Sequence, residues 1–266
     1  MMINAWTRVV QACPLSIRMR LLRSPLAPLM RRVLNRSRAM ADRLVTVQLA
    51  EPLGGHHMLL DWHTQKGYVF GVYERHVVDV MQTVVRPGWT AVDVGAHLGY
   101  FTILLAKLVG PSGRVVAFEP MPDNFRLLAQ NVAMNRYENV QVENKAVAER
   151  MGRASIGRRD DDPLTSESAL MEEGSLTVDT VNLDDYFAPE QRVSFVKIDV
   201  EGAEALVLRG MRRILETDRP AIVMEVHTRE ATQTQLLSNL GYDVRPIDPA
   251  GTGTHVLAIV PHTTTQ

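Results

Sequence analysis

Cysteine is almost missing from this sequence: Cys13 is the only one in 266 residues. No intrachain disulfide framework can form, and a reducing, cytoplasmic setting is the expectation. Long apolar runs are missing too. The longest uncharged apolar stretch in the body, Val94–Ala106, has 13 residues, against about 20 for a membrane span. Near the start, Arg8 and Arg18 bracket nine uncharged residues that Pro14 interrupts, too short a core for a signal peptide. Val10–Cys13, VQAC, has a faint likeness to a lipoprotein box but lacks the apolar region before it. No H-E-x-x-H and no Cys/His cluster is present, which excludes structural zinc. There is no internal repeat and no low-complexity tract.

What is present fits a globular enzyme-sized protein: 45% hydrophobic, 22% charged and 6% aromatic residues. The length suits one large domain with an appendage, or two small ones, and buries most of its unfolded surface without staples. Net charge is −1, but its distribution is uneven. Residues 1–45 hold nine arginines against Asp42, a net of +8, which leaves −9 for the rest. So acidic a body argues against nucleic acid as a partner. The basic head reads as a solvated, partly helical appendage or as a weak contact with anionic membrane. The second reading would place the protein at the membrane periphery.

The head (1–45) is broken by Pro14, Pro25 and Pro28. Residues 46–88 are expected to cap the site. They hold most of a hairpin, LVTVQLA from Leu44 and HMLLDW from His57, and an amphipathic helix over 74–85. From Trp89 to the end, strand and helix alternate. Strands are expected at 90–96, 114–119, from 140, 194–199 and 221–227. Helices are expected at 100–109, 122–135, 203–217 and 230–239, with a polar loop over 157–174. Two closing strands, 242–247 and 254–260, lie too close in sequence for a helical crossover and must pair antiparallel. The whole reads as an α/β chain with a doubly wound, Rossmann-like sheet of order 3-2-1-4-5-7-6 and one reversed strand.

The strongest local signal is Asp93-Val94-Gly95-Ala96-His97-Leu98-Gly99, a glycine turn between the first core strand and a helix. Ligands of open parallel sheets bind at such strand ends. Gly95 permits a tight turn, and Gly99 lets the helix pack on the strand. Glu119 ends the next strand, placed to accept both ribose hydroxyls of a nucleoside. The dinucleotide fingerprint needs glycine where His97 stands. Asp93 would repel a pyrophosphate but suits the ammonium and sulfonium of S-adenosylmethionine. His97 reads as a wall of that pocket, its pKa lowered by the helix start.

A second constellation is Lys197-Ile198-Asp199-Val200-Glu201-Gly202-Ala203-Glu204, at the end of the strand beside the first. Asp199 should face the transferred methyl group. Alternatively, Asp199 or Glu201 is a helix cap, and Glu204 is structural. Third, Glu225 and His227 share one face of the fifth strand's end. There His227 is a candidate base or a polar strand end bonded to a loop.

Gly71-Val72-Tyr73-Glu74, DVGAHLGYFT (93–102), Phe118-Glu119-Pro120, QNVAMN around Asn131, LDDY (183–186), KIDVEGAE (197–204) and EVH (225–227) together resemble the FkbM family of S-adenosylmethionine-dependent methyltransferases. The resemblance covers roughly residues 70–230, and KIDVEGAE is its most specific element. The family usually carries Asn where this chain has His97. It implies methylation of hydroxyl groups on secondary metabolites, macrolides, sugars or glycolipids. The expected cofactor contacts are Glu74, Asp93, Gly95, Ala96, His97, Gly99, Glu119, Asn144 and Asp199. The expected catalytic residues are Asp199, His227 and Glu225. No metal ligand is assigned, although Asp199 and Glu225 are placed to hold Mg²⁺. Two rivals stand beside this reading. One is a nicotinamide-dependent oxidoreductase, which explains Glu119 but not Asp93. The other is a non-catalytic scaffold with a decayed cofactor site.

Overall fold

The structure, a computed structural model, describes residues 10–23, 44–158, 168–170, 176–227, 232–248 and 254–261. The chain forms two compact units, residues 1–75 with 130–136, and residues 76–129 with 137–266. No helix among the described residues is long and apolar enough to cross a membrane.

In the first unit, α1 (Leu15–Arg23) lies in the basic head, which is described over residues 10–23 and from 44 on; the helices expected between 24 and 43 lie outside the described residues. Arg18 is buried, and its Nη1 donates to Phe70 O at 2.6 Å. The expected hairpin forms from β1 (Leu44–Gln48) and β2 (His57–Asp61), paired antiparallel with Leu44 opposite Asp61. Trp62, Met58, Leu60 and Leu53 are fully buried around it. A short helix that the sequence did not suggest, α2 (Lys66–Phe70), follows. Two asparagines satisfy the outer edge of β2. Asn131 accepts from Leu59 N at 2.7 Å and donates to Leu59 O at 3.1 Å. Asn135 does the same for His57, at 2.9 and 2.7 Å. An unpaired strand edge must find such partners, so Asn131 of the family motif has a structural role here.

The second unit begins on α3 (Arg75–Val84) and carries a seven-stranded sheet. Its strands are β3 (Thr90–Val94), β4 (Arg114–Phe118), β5 (Val140–Glu143), β10 (Phe195–Ile198), β11 (Ala221–Glu225), β12 (Asp243–Pro246) and β13 (His255–Ile259). They lie in the order β12-β13-β11-β10-β3-β4-β5. Numbered along the chain within this sheet, that is 3-2-1-4-5-7-6 from the β5 edge. β13 runs antiparallel to both neighbours, and the other pairings are parallel. The mixed α/β class read from the sequence is therefore the observed one.

Central strands are buried on both faces, so they read as unbroken apolar runs rather than alternations. In β3 only Thr90 is part-exposed. Helix α4 (Tyr100–Val109) starts from Gly99, which at φ 91° is in the left-handed region, and is buried nearly all round. Helix α5 (Pro122–Met134) follows β4.

Two sequence expectations need correction. The expected loop at 157–174 takes in the end of β7 (Gly152–Arg158) and all of β8 (Ser168–Leu170). With β6 (Ala146–Val147) and β9 (Leu176–Val181) they make a second, four-stranded sheet of order β6-β9-β7-β8. Its small core is Met121, Ala146, Ile156 and Val178, too few apolar residues to write an alternation into the sequence. The middle of that expected loop lies outside the described residues.

The single helix expected at 203–217 is two, α7 (Glu204–Arg209) and α8 (Arg212–Thr217). They follow α6 (Leu183–Tyr186) and β10 in the chain. A Cβ at Gly210 would lie 2.1 Å from Ala148 O, so backbone presses on backbone at the break. Asp184 of α6 then caps α8, accepting from Arg213 N at 2.7 Å and Ile214 N at 3.0 Å. The last helix, α9 (Thr232–Asn239), leads into β12.

Candidate active site

The carboxyl ends of β3, β4, β10 and β11 bring the second unit's candidate residues to one edge of the sheet. At β3, Gly95 turns the chain with φ 79°, and a Cβ there would stand 1.8 Å from Asp199 O. Only glycine fits. Gly95 N and Ala96 N both donate to Phe118 O at 3.0 Å, tying the turn to β4. At Gly99 an added Cβ would fall 2.7 Å from Leu128 Cδ1, so this glycine lets α4 lie close to α5.

Glu119 is buried just past β4. Its Oε2 accepts from His97 N at 2.8 Å and its Oε1 from Met121 N at 2.9 Å. Burial pushes its carboxyl up to about 7, against the pull of those two N–H groups. Asn144 is exposed, and its amide donates to Glu119 O at 2.8 Å and Pro120 O at 3.0 Å, which holds the backbone there. His97 sits in left-handed backbone, φ 50°, and its ring is pushed down to about 4. The direction is the expected one, but the chief cause is burial rather than the helix start.

Asp93 is fully buried. Its Oδ2 accepts from Thr102 Oγ1 at 2.6 Å, while Oδ1 has no hydrogen-bond partner and lies 3.8 Å from Lys197 Nζ. Burial raises its pKa, outweighing Lys197 and Thr102. Lys197 bridges the strand ends. Its ammonium donates to Asp199 Oδ2 at 3.1 Å and stands 5.0 Å from the centre of the Phe101 ring. Burial pushes the Asp199 carboxyl up, but Lys197 more than reverses this and holds it below the usual range. Asp199 is therefore ionised at neutral pH.

The third group surrounds His227. Its Nδ1 lies 2.8 Å from Glu204 Oε1, and its Nε2 lies 3.0 Å from Glu201 Oε2 and 3.6 Å from Glu225 Oε1. Hydrogen bonds to Glu201 and then Glu204 push the ring up to about 10. With no metal ion beside it the ring is an imidazolium at neutral pH, which weighs against the base role expected from the sequence. Glu204, fully buried, fixes the ring and also accepts from Gly202 N at 2.9 Å. Glu201 reaches the ring from left-handed backbone, φ 53°.

Residues 93–261 match the family model of the methyltransferase FkbM domain. The chain belongs to the FkbM methyltransferase family. The resemblance read from the motifs is thus borne out. Among curated relatives, the 31-O-demethyl-FK506 methyltransferase FkbM of Streptomyces tacrolimicus is 29% identical over 224 residues, covering 69% of this chain and 82% of that protein. The hexuronic acid methyltransferase AglP of Haloferax volcanii is 28% identical over 142 residues, covering 51% of this chain and 54% of its own. Against the other curated methyltransferases it matches, the chain spans between 15% and 57% of their length. The crystal structure of methyltransferase FkbM from Methylobacillus flagellatus superposes with a TM-score of 0.46 at 19% identity, over 68% of this chain and 50% of that one.

Of the expected residues, Asp93, Gly95, Ala96, His97, Gly99, Glu119, Asn144, Asp199, Glu225 and His227 all belong to the second unit. Glu74 belongs to the first unit, in left-handed backbone with φ 35°. Sequence reasoning gave no role to Thr102, to Phe101 or to Lys197 as a bridge, although all three stand in the quoted motifs. The signal was charge. Four acids crowd Asp199–Glu204 and Glu225, and burying them demands cations, which Lys197 and His227 provide.

Proposed function

We propose that this chain transfers a methyl group from S-adenosylmethionine to a hydroxyl on a small molecule, of the sugar or secondary-metabolite kind. The observation that carries the reading is the pairing of two buried acids around one glycine turn. Glu119 supports a ribose, and the Asp93 carboxylate keeps an oxygen without a hydrogen-bond partner for a cationic group. Gly95 lets the turn lie directly against the Asp199 backbone, which brings the ends of β3 and β10 together. These residues fit the donor.

Bound there, S-adenosylmethionine supplies an electrophilic methyl group on a sulfonium. The chain's own work is to align the acceptor oxygen with that carbon, which accounts for much of the rate gain. An aliphatic hydroxyl is a poor nucleophile, and a positioned carboxylate that takes its proton assists it. Asp199 is ionised, at the strand end beside the turn, and pinned through one oxygen by Lys197. We assign it the contact with the acceptor hydroxyl. Glu225 ends the neighbouring strand β11 and is the next acid along. His227, held as a cation by Glu201 and Glu204, positions those carboxylates rather than taking a proton. The hydroxyl preference draws on the names of the two relatives, one a hexuronic acid methyltransferase and one a 31-O-demethyl-FK506 methyltransferase.

Asp93 weighs against the nicotinamide reading, because a buried carboxylate at the turn repels a pyrophosphate. Heat-shift assays separate the readings. S-adenosylmethionine and its demethylated product should raise the unfolding temperature while NAD leaves it unchanged. Stabilisation by NAD alone would sink the proposal, and no stabilisation by any of the three would favour a scaffold.

A further inference from the structure

We propose that Asp199, Glu201 and His227 form a binding site for one divalent first-row transition cation, of the Mn²⁺ or Fe²⁺ kind. One donor atom from each of the three lies within 4.8 Å of the others. That spread is about what the edges and diagonals of an octahedral shell with bonds near 2.1–2.2 Å require, after closing by a few tenths of an ångström. The donor set is mixed, two carboxylate oxygens and an imidazole nitrogen. Imidazole suits Mn²⁺ and Fe²⁺ better than Mg²⁺, which prefers an all-oxygen shell.

The surroundings of the ring are those of a metal ligand. Metal-bound histidines almost always hold the second ring nitrogen against a carboxylate, which fixes the tautomer and raises the basicity of the ligating nitrogen. Here Nδ1 lies 2.8 Å from Glu204 Oε1 and Nε2 faces Glu201. Nε2 is thus the donor turned toward Glu201, and a bound cation takes the place of the proton this nitrogen otherwise carries, which leaves to solvent.

A second observation points to a missing cation. Glu204 is fully buried, and its Oε2 has no hydrogen-bond partner although its other oxygen touches the ring. The Lys197 ammonium and the His227 ring lie among the carboxylates of Asp199, Glu201, Glu204 and Glu225, and His255 Nε2 lies 3.7 Å from Glu225 Oε2. Negative charge so crowded and so poorly hydrated is costly unless a cation joins it. Lys197 holds one oxygen of Asp199.

The test uses the full chain without cofactor and reads Mn²⁺ alone. Added Mn²⁺ should lose its free-ion electron paramagnetic resonance signal at one ion per chain. Glu201→Gln and His227→Ala should each weaken binding tenfold or more, the usual effect of losing one ligand or its orienting partner. Circular dichroism on each variant checks that it folds. Glu204→Gln, which leaves all three ligands in place, should weaken binding less but measurably. No signal loss at millimolar Mn²⁺ would overturn the site, as would equal affinity in folded Glu201→Gln or His227→Ala. The readout needs no donor, acceptor or turnover. Failure here therefore leaves the methyltransferase reading standing, and failure of that reading leaves this site to be judged on its own.

Discussion

The two halves of the sheet's carboxyl edge are built from different materials. At the ends of β3 and β4 the backbone sets the geometry. Gly95 and Ala96 donate to one carbonyl of the neighbouring strand, and Glu119 accepts two main-chain N–H groups. At the ends of β10 and β11 side-chain charge sets it, through Lys197, Asp199, Glu201, Glu204, Glu225 and His227. The first half is rigid and nearly closed to water, which suits a fixed ligand such as an adenosine. The second is part-exposed and titratable, which suits chemistry on an acceptor. A carboxylate pushed up by burial at Glu119 and one held down by a lysine at Asp199 are the same functional group put to two uses.

If the halves are so divided, damage to one should spare the other. Asp199→Asn keeps the shape and removes the charge. Turnover should fall by roughly two to four orders of magnitude, the usual worth of a positioned proton acceptor. Affinity for the demethylated cofactor should change by no more than about threefold. If Asp199 were only a helix cap, Asn would cap about as well and turnover would barely move. Steady-state kinetics and calorimetry on this variant decide it.

Gly95→Ala should do the reverse, striking the fold and the donor pocket together. The added Cβ meets Asp199 O in a left-handed backbone, so overpacking and strain together should cost about 3 kcal/mol of stability. Denaturant unfolding checks it, and a loss under about 1 kcal/mol would mean that the turn yields easily. Asn144→Ala should have the smallest effect. It removes two hydrogen bonds from an exposed amide to the backbone at Glu119 and Pro120, worth about 1 kcal/mol in sum. Donor affinity should fall only a fewfold, and a hundredfold loss would show that Asn144 touches the donor itself.

The same division explains what was legible. Glycine turns, strand ends and apolar runs are local, so β3, α4, β4 and the Asp93–Gly99 turn stand in the sequence nearly as they stand in the fold. The β10–β11 half depends on which charges meet across distance. His227 lies 26 residues after Glu201, and nothing local to EVH tells that Glu201 and Glu204 close on both its nitrogens. Read alone it looked like a base; enclosed, it is a cation. The second sheet was hidden for another reason, since β7 and β9 each place few apolar side chains inside. The break between α7 and α8 was hidden because its causes, Ala148 O and Asp184, come from elsewhere in the chain.

The central claim is that Glu119 is the acid that holds the donor, and its pKa gives the most direct test. Burial puts its carboxyl at about 7 in the cofactor-free chain, and the nearby Asp93 charge adds to that rise. Accepting ribose hydroxyls favours the ionised form, so affinity should be full above pH 7. Below it, affinity should fall by up to about tenfold per pH unit as the proton competes. Calorimetry of the demethylated cofactor from pH 8.5 to 5.5, on the natural chain and on Glu119→Gln, measures this. The account predicts a falling profile for the natural chain, and a weaker one for the variant whose step near pH 7 is gone. A flat natural profile, or the same step in the variant, would contradict it.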